Sequence, residues 1–399
     1  MKPLEIQKDL YWIGSLHPDL RVFDIIMETK NGTTYNSYLI KDEKIAVIDT
    51  VKGKFNQHYI ENLSDIIDPA KIDYIIVQHN EPDHSGSLTT LLDLAPNAKV
   101  YCAKAAVKYV KNIINREFEI IGVGQNDTLD LGTRTLRFIP APFLHWPDTM
   151  MTYLEKDNIL FTCDVFASHF CDSKMYNDLI TRDFWPDYKY YFDTIMRPFK
   201  KNVRNALAKI ESLELNMIAP SHGPMLRSEL DKYIKAYDEW AMPLPANAVP
   251  KVLVYYASAH GNTEIMAEKI ASGARSAGAD VDVFDAVDLD VNSHLDKIEA
   301  ADAILLGSPT LNSAVAKPVW DILNSLLTID IKKKLAASFG SMGWSGEAVP
   351  LLDERLKAMK FNVPLEGLTA VLVPGKEELE KCNEFGVQIA ELLKEKSNK

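Results

Sequence analysis

The stretch His79-Asn80-Glu81-Pro82-Asp83-His84 decides how this sequence folds and what it holds. It follows an apolar run at residues 72–77 that is typical of a strand buried on both faces. The stretch therefore lies on the loop that leaves the carboxyl end of that strand. Because it concentrates imidazole and carboxylate groups, which bind transition metals, it predicts a metal site at a sheet edge.

Three further candidate ligands lie far away in the chain, each directly after an apolar run. They are His145, Asp164 and His222. A single His or Asp at a strand end is more often a turn or capping residue than a ligand. Four of the chain's nine histidines nevertheless occupy such positions, and loops that leave one edge of a layered sheet converge. We therefore expect the distant residues to join the first stretch in one site.

The combined set contains four imidazoles and three carboxylates. Zinc hydrolases favour shells rich in imidazole that activate a water. A mixed shell with open positions suits iron that changes oxidation state, because anionic oxygen donors stabilise the ferric form. Two metals about 3.5–4 Å apart hold both atoms of a small substrate at once.

Pairs of short apolar runs joined by turns dominate the chain before residue 241. Helical patterns interrupt them near residues 55–67, 88–94, 103–114, 187–199 and 200–212. This mixture favours a layered α/β sandwich. Residues 241–250 contain three prolines and no charged side chain, which is typical of a stiff linker. We place the domains at residues 1–249 and 250–399.

After the linker, five apolar runs alternate with helical patterns. The runs cover residues 252–256, 281–284, 303–306, 335–339 and 370–373. Strict alternation of this kind predicts a doubly wound parallel sheet of flavodoxin type.

Three loops at the carboxyl ends of these runs predict a flavin site; they are residues 258–263, 308–312 and 340–346. The first loop runs into a helix and offers backbone N–H groups to a phosphate, and no GxGxxG motif or Walker lysine is present in the sequence. The loops resemble the FMN site of flavodoxins, with the isoalloxazine ring between the second and third. The candidate flavin-binding residues are Ser258, His260, Gly261, Asn262, Thr263, Pro309, Thr310, Leu311, Asn312, Ser341, Met342, Gly343 and Trp344.

The metal-binding pattern resembles that of the metallo-β-lactamase fold, whose signature is His-x-His-x-Asp-His with distant His, Asp and His ligands. Glu81 replaces the second histidine, and this replacement is the mark of the flavodiiron proteins. The resemblance covers the whole chain and implies an N-terminal αββα sandwich followed by a flavodoxin-like domain. It also implies that one iron is held by His79, Glu81 and His145, the other by Asp83, His84 and His222, and that Asp164 bridges both. The equivalent of His84 is not a ligand in every relative, so a water is the alternative there.

The resemblance implies a reductase that takes electrons from rubredoxin or a similar carrier. FMN passes them to the diiron site, which reduces dioxygen to water or nitric oxide to nitrous oxide. It further implies a head-to-tail homodimer or a dimer of dimers. The alternative function is a dizinc hydrolase of the same fold with a fused flavodoxin domain, and Glu81 is the residue that discriminates between them.

Other residues are candidates for supporting roles. His169 and Tyr191 are candidate hydrogen-bond donors near the metals, with a packing role as the alternative for Tyr191. Many relatives carry a histidine near residues 21–24, where this chain has Asp24. Residues 332–334 or 355–357 are basic and are candidates for docking an electron carrier.

The remaining composition indicates an ordinary soluble protein. The net charge of -12 argues against nucleic acid as the main partner, and no run approaches the ~20 apolar residues of a membrane helix. The four cysteines form no CxxC pair, and we interpret them as buried thiols. A cytoplasmic location is expected.

Overall fold

A computed structural model describes residues 1–25, 27–331 and 334–397. The chain divides into two compact units, Met1–Pro243 and Leu244–Lys399. The division falls inside the proline-containing segment 241–250, which the sequence predicts to be a linker.

Two sheets form the centre of the first unit. The seven-stranded sheet consists, in spatial order, of Leu4–Gln7, Leu10–Trp12, Tyr38–Ile40, Ala46–Ile48, Tyr74–Val77, Lys99–Ala103 and Ile120–Val123. The five-stranded sheet consists of Thr128–Asp130, Thr135–Pro140, Met150–Leu154, Ile159–Cys163 and Met217–Pro220. Every residue of Met150–Leu154 and Ile159–Cys163 is buried, as expected for strands covered on both faces.

The helices of the first unit lie close to their predicted positions. They are Asn56–Ser64, Leu88–Leu94, Val107–Ile114, Trp185–Tyr191, Lys200–Ile210 and Leu230–Trp240, together with the short turn Pro82–Ser85. The predicted start at residue 103 is wrong, because Ala103 pairs with Val123 in the sheet and the helix begins at Val107. The expectation of an α/β sandwich is confirmed.

The second unit is a five-stranded parallel sheet. Its strands lie in the spatial order Asp280–Asp285, Lys251–Tyr256, Ala303–Gly307, Leu335–Met342 and Leu368–Val371. Its helices are Asn262–Ser276, Leu295–Ala300, Lys317–Ser325, Ala348–Ala358 and Lys376–Ser397. The first strand lies between the second and the third, so the order reverses there, which is the switch point at which doubly wound sheets bind ligands.

Two strand boundaries in the second unit differ from the prediction. The fourth strand continues to Met342, so Ser341 and Met342 belong to the strand and not to the loop. The fifth strand ends at Val371, because Leu372 has φ +53° and leaves the extended conformation.

Three smaller expectations are also resolved. All four cysteines are free and buried, as predicted. Lys334 is buried and donates to the carbonyls of Glu299 and Ala301, so its assignment to a docking patch is wrong; Lys332 and Lys333 lie outside the described residues. Among the described residues, no helix combines the length and the apolar composition that crossing a bilayer requires.

Candidate metal centre and flavin loops

The two sheets of the first unit bring the predicted ligands together. His79 follows strand Tyr74–Val77 of the first sheet. Asp164 follows Ile159–Cys163 and His222 follows Met217–Pro220, two neighbouring parallel strands of the second sheet. Because parallel strands end at the same sheet edge, their following residues lie side by side.

His79, Glu81 and His145 form the first ligand group. Their three ligand atoms lie within 4.8 Å of one another. Glu81 Oε2 is 3.2 Å from His79 Nε2 and 3.1 Å from His145 Nε2. Donor atoms bound to one ion at 2.0–2.2 Å are about 3.4 Å apart in a tetrahedral site, so this group matches one metal position.

Asp83, His84 and His222 form the second ligand group, which is also within 4.8 Å. His222 Nε2 lies 3.1 Å from Asp83 Oδ2, and His84 Nε2 lies 3.4 Å from Asp83 Oδ1. All three residues are buried, so the water that would solvate their charges is largely excluded.

Asp164 lies between the two groups. Its Oδ1 is 3.4 Å from His84 Nε2 and 3.5 Å from His222 Nε2. Its Oδ2 is 3.8 Å from both His79 Nε2 and His145 Nε2. Each carboxylate oxygen therefore faces one group, which is the arrangement that a bridging ligand requires.

Several of these buried atoms lack hydrogen-bond partners within the described part of the chain. They are both carboxylate oxygens of Asp83, Nε2 of His84 and Oδ2 of Asp164. Buried polar groups are almost always satisfied, so atoms without partners that face each other have the arrangement of cation ligands. The residues present therefore fit a pair of metal ions.

The electrostatics of the cluster agree with cation binding. Burial raises the pKa of Asp83 and Asp164, but the combined attraction of the neighbouring imidazoles, His84 first among them, outweighs burial and lowers both pKa values. Burial opposes protonation of His79, yet hydrogen bonds to Asp148 and Glu81 raise its pKa to about 9. The neighbouring imidazoles thus keep the carboxyl groups of Asp83 and Asp164 anionic, which is the form that binds a cation.

A layer of hydrogen bonds orients the ligands. Asp148 Oδ2 is 3.0 Å from His79 Nδ1, and the carbonyl of Thr34 is 2.6 Å from His222 Nδ1. The hydroxyls of Tyr191 and Ser221 donate to Asp164 Oδ1 over 3.0 and 2.9 Å. When Nδ1 of each histidine donates, Nε2 is free to bind a metal.

The two residues predicted to support the centre are both at the cluster. Tyr191 is buried, and its ring lies 4.9 Å from that of His169. His169 is buried, its Nδ1 is 3.0 Å from Thr33 Oγ1, and its Nε2 has no partner among the described residues. Burial, followed by the neighbouring His222, lowers the pKa of His169 to about 3, so this ring is neutral.

Asp24, where many relatives carry a histidine, lies beside the first ligand group. It follows the short strand Val22–Phe23, whose Phe23 ring packs 4.3 Å from His169. Although Asp24 is partly exposed, loss of hydration and then the charge of Glu81 raise its pKa to about 7.

The phosphate loop of the second unit has the expected backbone. Gly261, with φ +80°, precedes the 15-residue helix Asn262–Ser276, and no side chain caps this helix. Its first N–H groups are therefore free of side-chain partners and suit a phosphate. Thr263, in the first turn of this helix, is buried, and its Oγ1 lies 3.0 Å from Oγ of Ser341 near the end of the fourth strand. Ser258 is half-buried.

The other two loops present exposed side chains at the same sheet edge. Asn312 and Ser313 have φ +47° and +58°, as in a two-residue hairpin turn of type I′, between the short strands Thr310–Leu311 and Ala314–Val315. Trp344 is 82% exposed. Its exposed indole presents a flat apolar face, and the isoalloxazine ring of FMN is a flat ring that fits against such a face.

Of the residues in the orienting layer, the sequence predicted Tyr191 but missed Asp148, Ser221 and Thr34. Asp148 lies three residues after His145, in the same strand-end motif, and Ser221 directly precedes His222. Their proximity to predicted ligands was the available signal. Thr33 and Thr34 carry no such signal, because only the fold brings them to the cluster.

Family models match both units. The model of the ODP family beta lactamase matches residues 33–223, and that of flavodoxin matches residues 254–386. All seven candidate ligands lie within the first range, and all candidate flavin-binding residues lie within the second.

Relatives match the chain over nearly its whole length. A flavo-diiron protein of Clostridium acetobutylicum is 42% identical over 403 residues, covering 98% of this chain and 100% of that protein. A nitric oxide reductase of Moorella thermoacetica is 36% identical, covering 98% of both. The solved structure of rubredoxin oxygen:oxidoreductase from Desulfovibrio gigas has a TM-score of 0.70 and 28% identity and covers 99% of both chains.

Proposed function

This chain belongs to the flavodiiron protein family, and from that premise we propose that it passes electrons from a carrier such as rubredoxin through FMN to a diiron site that reduces dioxygen to water, nitric oxide to nitrous oxide, or both. The resemblance inferred from Glu81 is thereby confirmed. The chain is an oxidoreductase whose family carries FMN in the flavodoxin domain and a non-haem diiron site.

The observation that carries the proposal is the pair of ligand groups facing the two oxygens of Asp164. We assign His79, Glu81 and His145 to one iron and Asp83, His84 and His222 to the other. His84 is included because its unpartnered Nε2 lies within 3.4 Å of both Asp83 and Asp164. Iron held by these residues would supply one-electron redox chemistry for a diatomic gas.

The protein's own residues prepare the site for that chemistry. The carboxylate oxygens would offset part of the positive charge of bound metals, and the hydrogen bonds from Tyr191 and Ser221 fix the orientation of Asp164. The Trp146 ring lies 5.1 Å from that of His79 and is 41% exposed, so it walls the pocket. His169 offers Nε2 as a hydrogen-bonding atom in a place from which water is largely excluded.

For the flavin, the start of helix Asn262–Ser276 would hold the phosphate. The loops around Asn312 and Trp344 would hold the ring. FMN supplies a carrier that accepts electrons singly and passes them on.

We also propose that the active form is a head-to-tail homodimer, alone or paired into a dimer of dimers, in which the FMN of one copy serves the irons of the other. Exposed apolar side chains near both sites support this assembly, Phe143 and Trp146 in the first unit and Leu311 and Trp344 in the second. A monomer that keeps full turnover at high dilution would contradict it. The cytoplasmic location stays a prediction.

The choice of gas is tested by one comparison. The purified protein is reduced under anaerobic conditions with a rubredoxin system, and the rates at which it consumes dioxygen and nitric oxide are measured on the same sample. Consumption of either gas supports the proposed function, and the ratio of the rates assigns the substrate. Hydrolysis of esters or lactams by a zinc-loaded protein that consumes neither gas would contradict it.

A further inference from the structure

The buried carboxylate of Asp148 contacts the metal centre only through His79. Its Oδ2 lies 3.0 Å from His79 Nδ1 and accepts a hydrogen bond from the Asn80 N–H over 2.8 Å. Both side chains are 0% exposed. His79 therefore has a fixed orientation, with Nδ1 toward Asp148 and Nε2 toward Glu81 and Asp164.

The corresponding histidine of the second ligand group has a different support. His222 Nδ1 donates to the backbone carbonyl of Thr34, which is a neutral acceptor. In addition, the Asp164 oxygen that faces this group accepts bonds from both Tyr191 and Ser221. Hydrogen bonds of this kind withdraw electron density from a ligand oxygen, whereas an anionic acceptor behind an imidazole increases its donor strength.

We propose that Asp148 is a positioning residue that makes the two iron positions unequal. Its carboxylate keeps the proton of His79 on Nδ1 and adds negative charge behind the ring, so the iron of the first group is bound more tightly and is harder to reduce. The neutral carbonyl behind His222 does neither. This inference rests on the ligand assignment of the proposed function.

The isosteric substitution Asp148→Asn separates charge from shape. The amide oxygen of asparagine can accept the same two hydrogen bonds, from His79 and from Asn80, while the negative charge is lost. We expect iron affinity, measured as retention against a chelator, to fall by about 10–100-fold. We also expect the reduction potential of the diiron centre to rise, because the ferric state loses a stabilising charge.

Asp353→Asn is the matched control. Asp353 is also buried and accepts bonds from one side chain and one backbone N–H, those of Ser338 and Gly367. It belongs to the second unit, which contains no candidate metal ligand among its described residues. Its substitution should leave iron retention and the diiron potential unchanged.

The outcomes of these experiments separate a failure of the proposed function from a failure of the role assigned to Asp148. Wild-type protein that holds no iron would contradict the proposed function. Iron-loaded Asp148→Asn protein with wild-type iron retention and potential would contradict only the present inference. Should that variant fail to fold, proton NMR of the reduced wild type with labelled histidine decides, because a slowly exchanging proton on His79 Nδ1 is expected and its absence would refute the role of Asp148.

Discussion

The metal centre and the flavin loops place their polar groups in opposite environments. In the metal centre, His79, Asp83 and Asp164 are at most 4% exposed, and their ligand atoms face one another. In the flavin loops, His260 and Asn312 are exposed, and Trp344 is 82% exposed. The metal centre therefore consists of buried side-chain atoms that suit a cation, whereas the candidate flavin site combines backbone groups and exposed side chains with the buried hydroxyls of Thr263 and Ser341.

This difference predicts how each site tolerates change. When one charged member of a buried cluster is removed, no water is present to replace its charge, so the cluster loses its ability to bind metal. A site whose contacts with its ligand are spread over three loops loses only a small part of its binding free energy with each substitution. Mutational effects should therefore be large and cooperative in the first unit and small and additive in the second.

The largest effect is expected from Asp164→Ala. Among the described residues, Asp164 is the one candidate ligand that faces both ligand groups, and its substitution leaves four imidazoles close together. Iron content should fall below one per chain, and gas consumption should fall by more than about 100-fold. Metal analysis and gas-electrode assays measure both quantities. Asp178→Ala, which removes a surface carboxylate paired with Arg227, is the control, and equal losses in the two variants would contradict the account.

A smaller effect is expected from His169→Asn, which should change how the free energy of unfolding depends on pH. The folded pKa of His169, about 3, lies below its ordinary 6.5, so between these values the unfolded chain binds more protons than the folded one. Stability of the metal-free wild type is therefore lost as the pH falls from 6.5, by up to about 1.4 kcal/mol per pH unit from this residue. The His169→Asn variant should lack this contribution to the pH dependence of the unfolding free energy. Urea unfolding at pH 7, 6 and 5 measures it, and parallel curves for both proteins would refute a buried neutral His169.

Gly261→Ala should weaken FMN binding about tenfold. Space is available for the added Cβ, whose nearest atom would be 3.9 Å away, but the φ of +80° costs a non-glycine residue about 1–2 kcal/mol. Gly278→Ala is the matched control, because Gly278 has φ +84° and is not in a flavin loop. Fluorescence titration of apoprotein with FMN measures the affinity. A similar loss of FMN affinity in both variants would show that Gly261 has no specific role in binding the phosphate.

The smallest effect on folding is expected from Trp344→Ala. Its exposed indole contributes little to packing, so the free energy of unfolding should change by less than about 0.5 kcal/mol. FMN affinity should fall by less than about tenfold, the share of one aromatic contact. Trp320→Ala, at a side chain packed against the core of the second unit, should instead cost about 3 kcal/mol. An unchanged FMN affinity in Trp344→Ala would show that this ring does not cover the flavin.

The contrast also explains what the sequence could predict. The ligands were visible because imidazole and carboxylate groups follow strands, and Glu81 identified the family. The flavin loops were visible because they follow apolar runs at a switch point. Both signals are local, since they depend on residue type and on the position of a strand end.

The missed features depend on tertiary contacts or on backbone angles. Thr34 supports His222 across 188 positions in the chain, and no pattern marks that pairing. Lys334 looked like part of an exposed basic patch, but its contacts with two carbonyls bury it. The end of the last strand depends on the left-handed φ of Leu372, which an apolar run does not reveal.

The most direct test of the central claim is the metal and flavin content of the purified protein, measured together with its gas consumption after anaerobic reduction. The account predicts two irons and one FMN per chain and consumption of dioxygen, nitric oxide or both. Two zinc ions per chain with no consumption of either gas would contradict it.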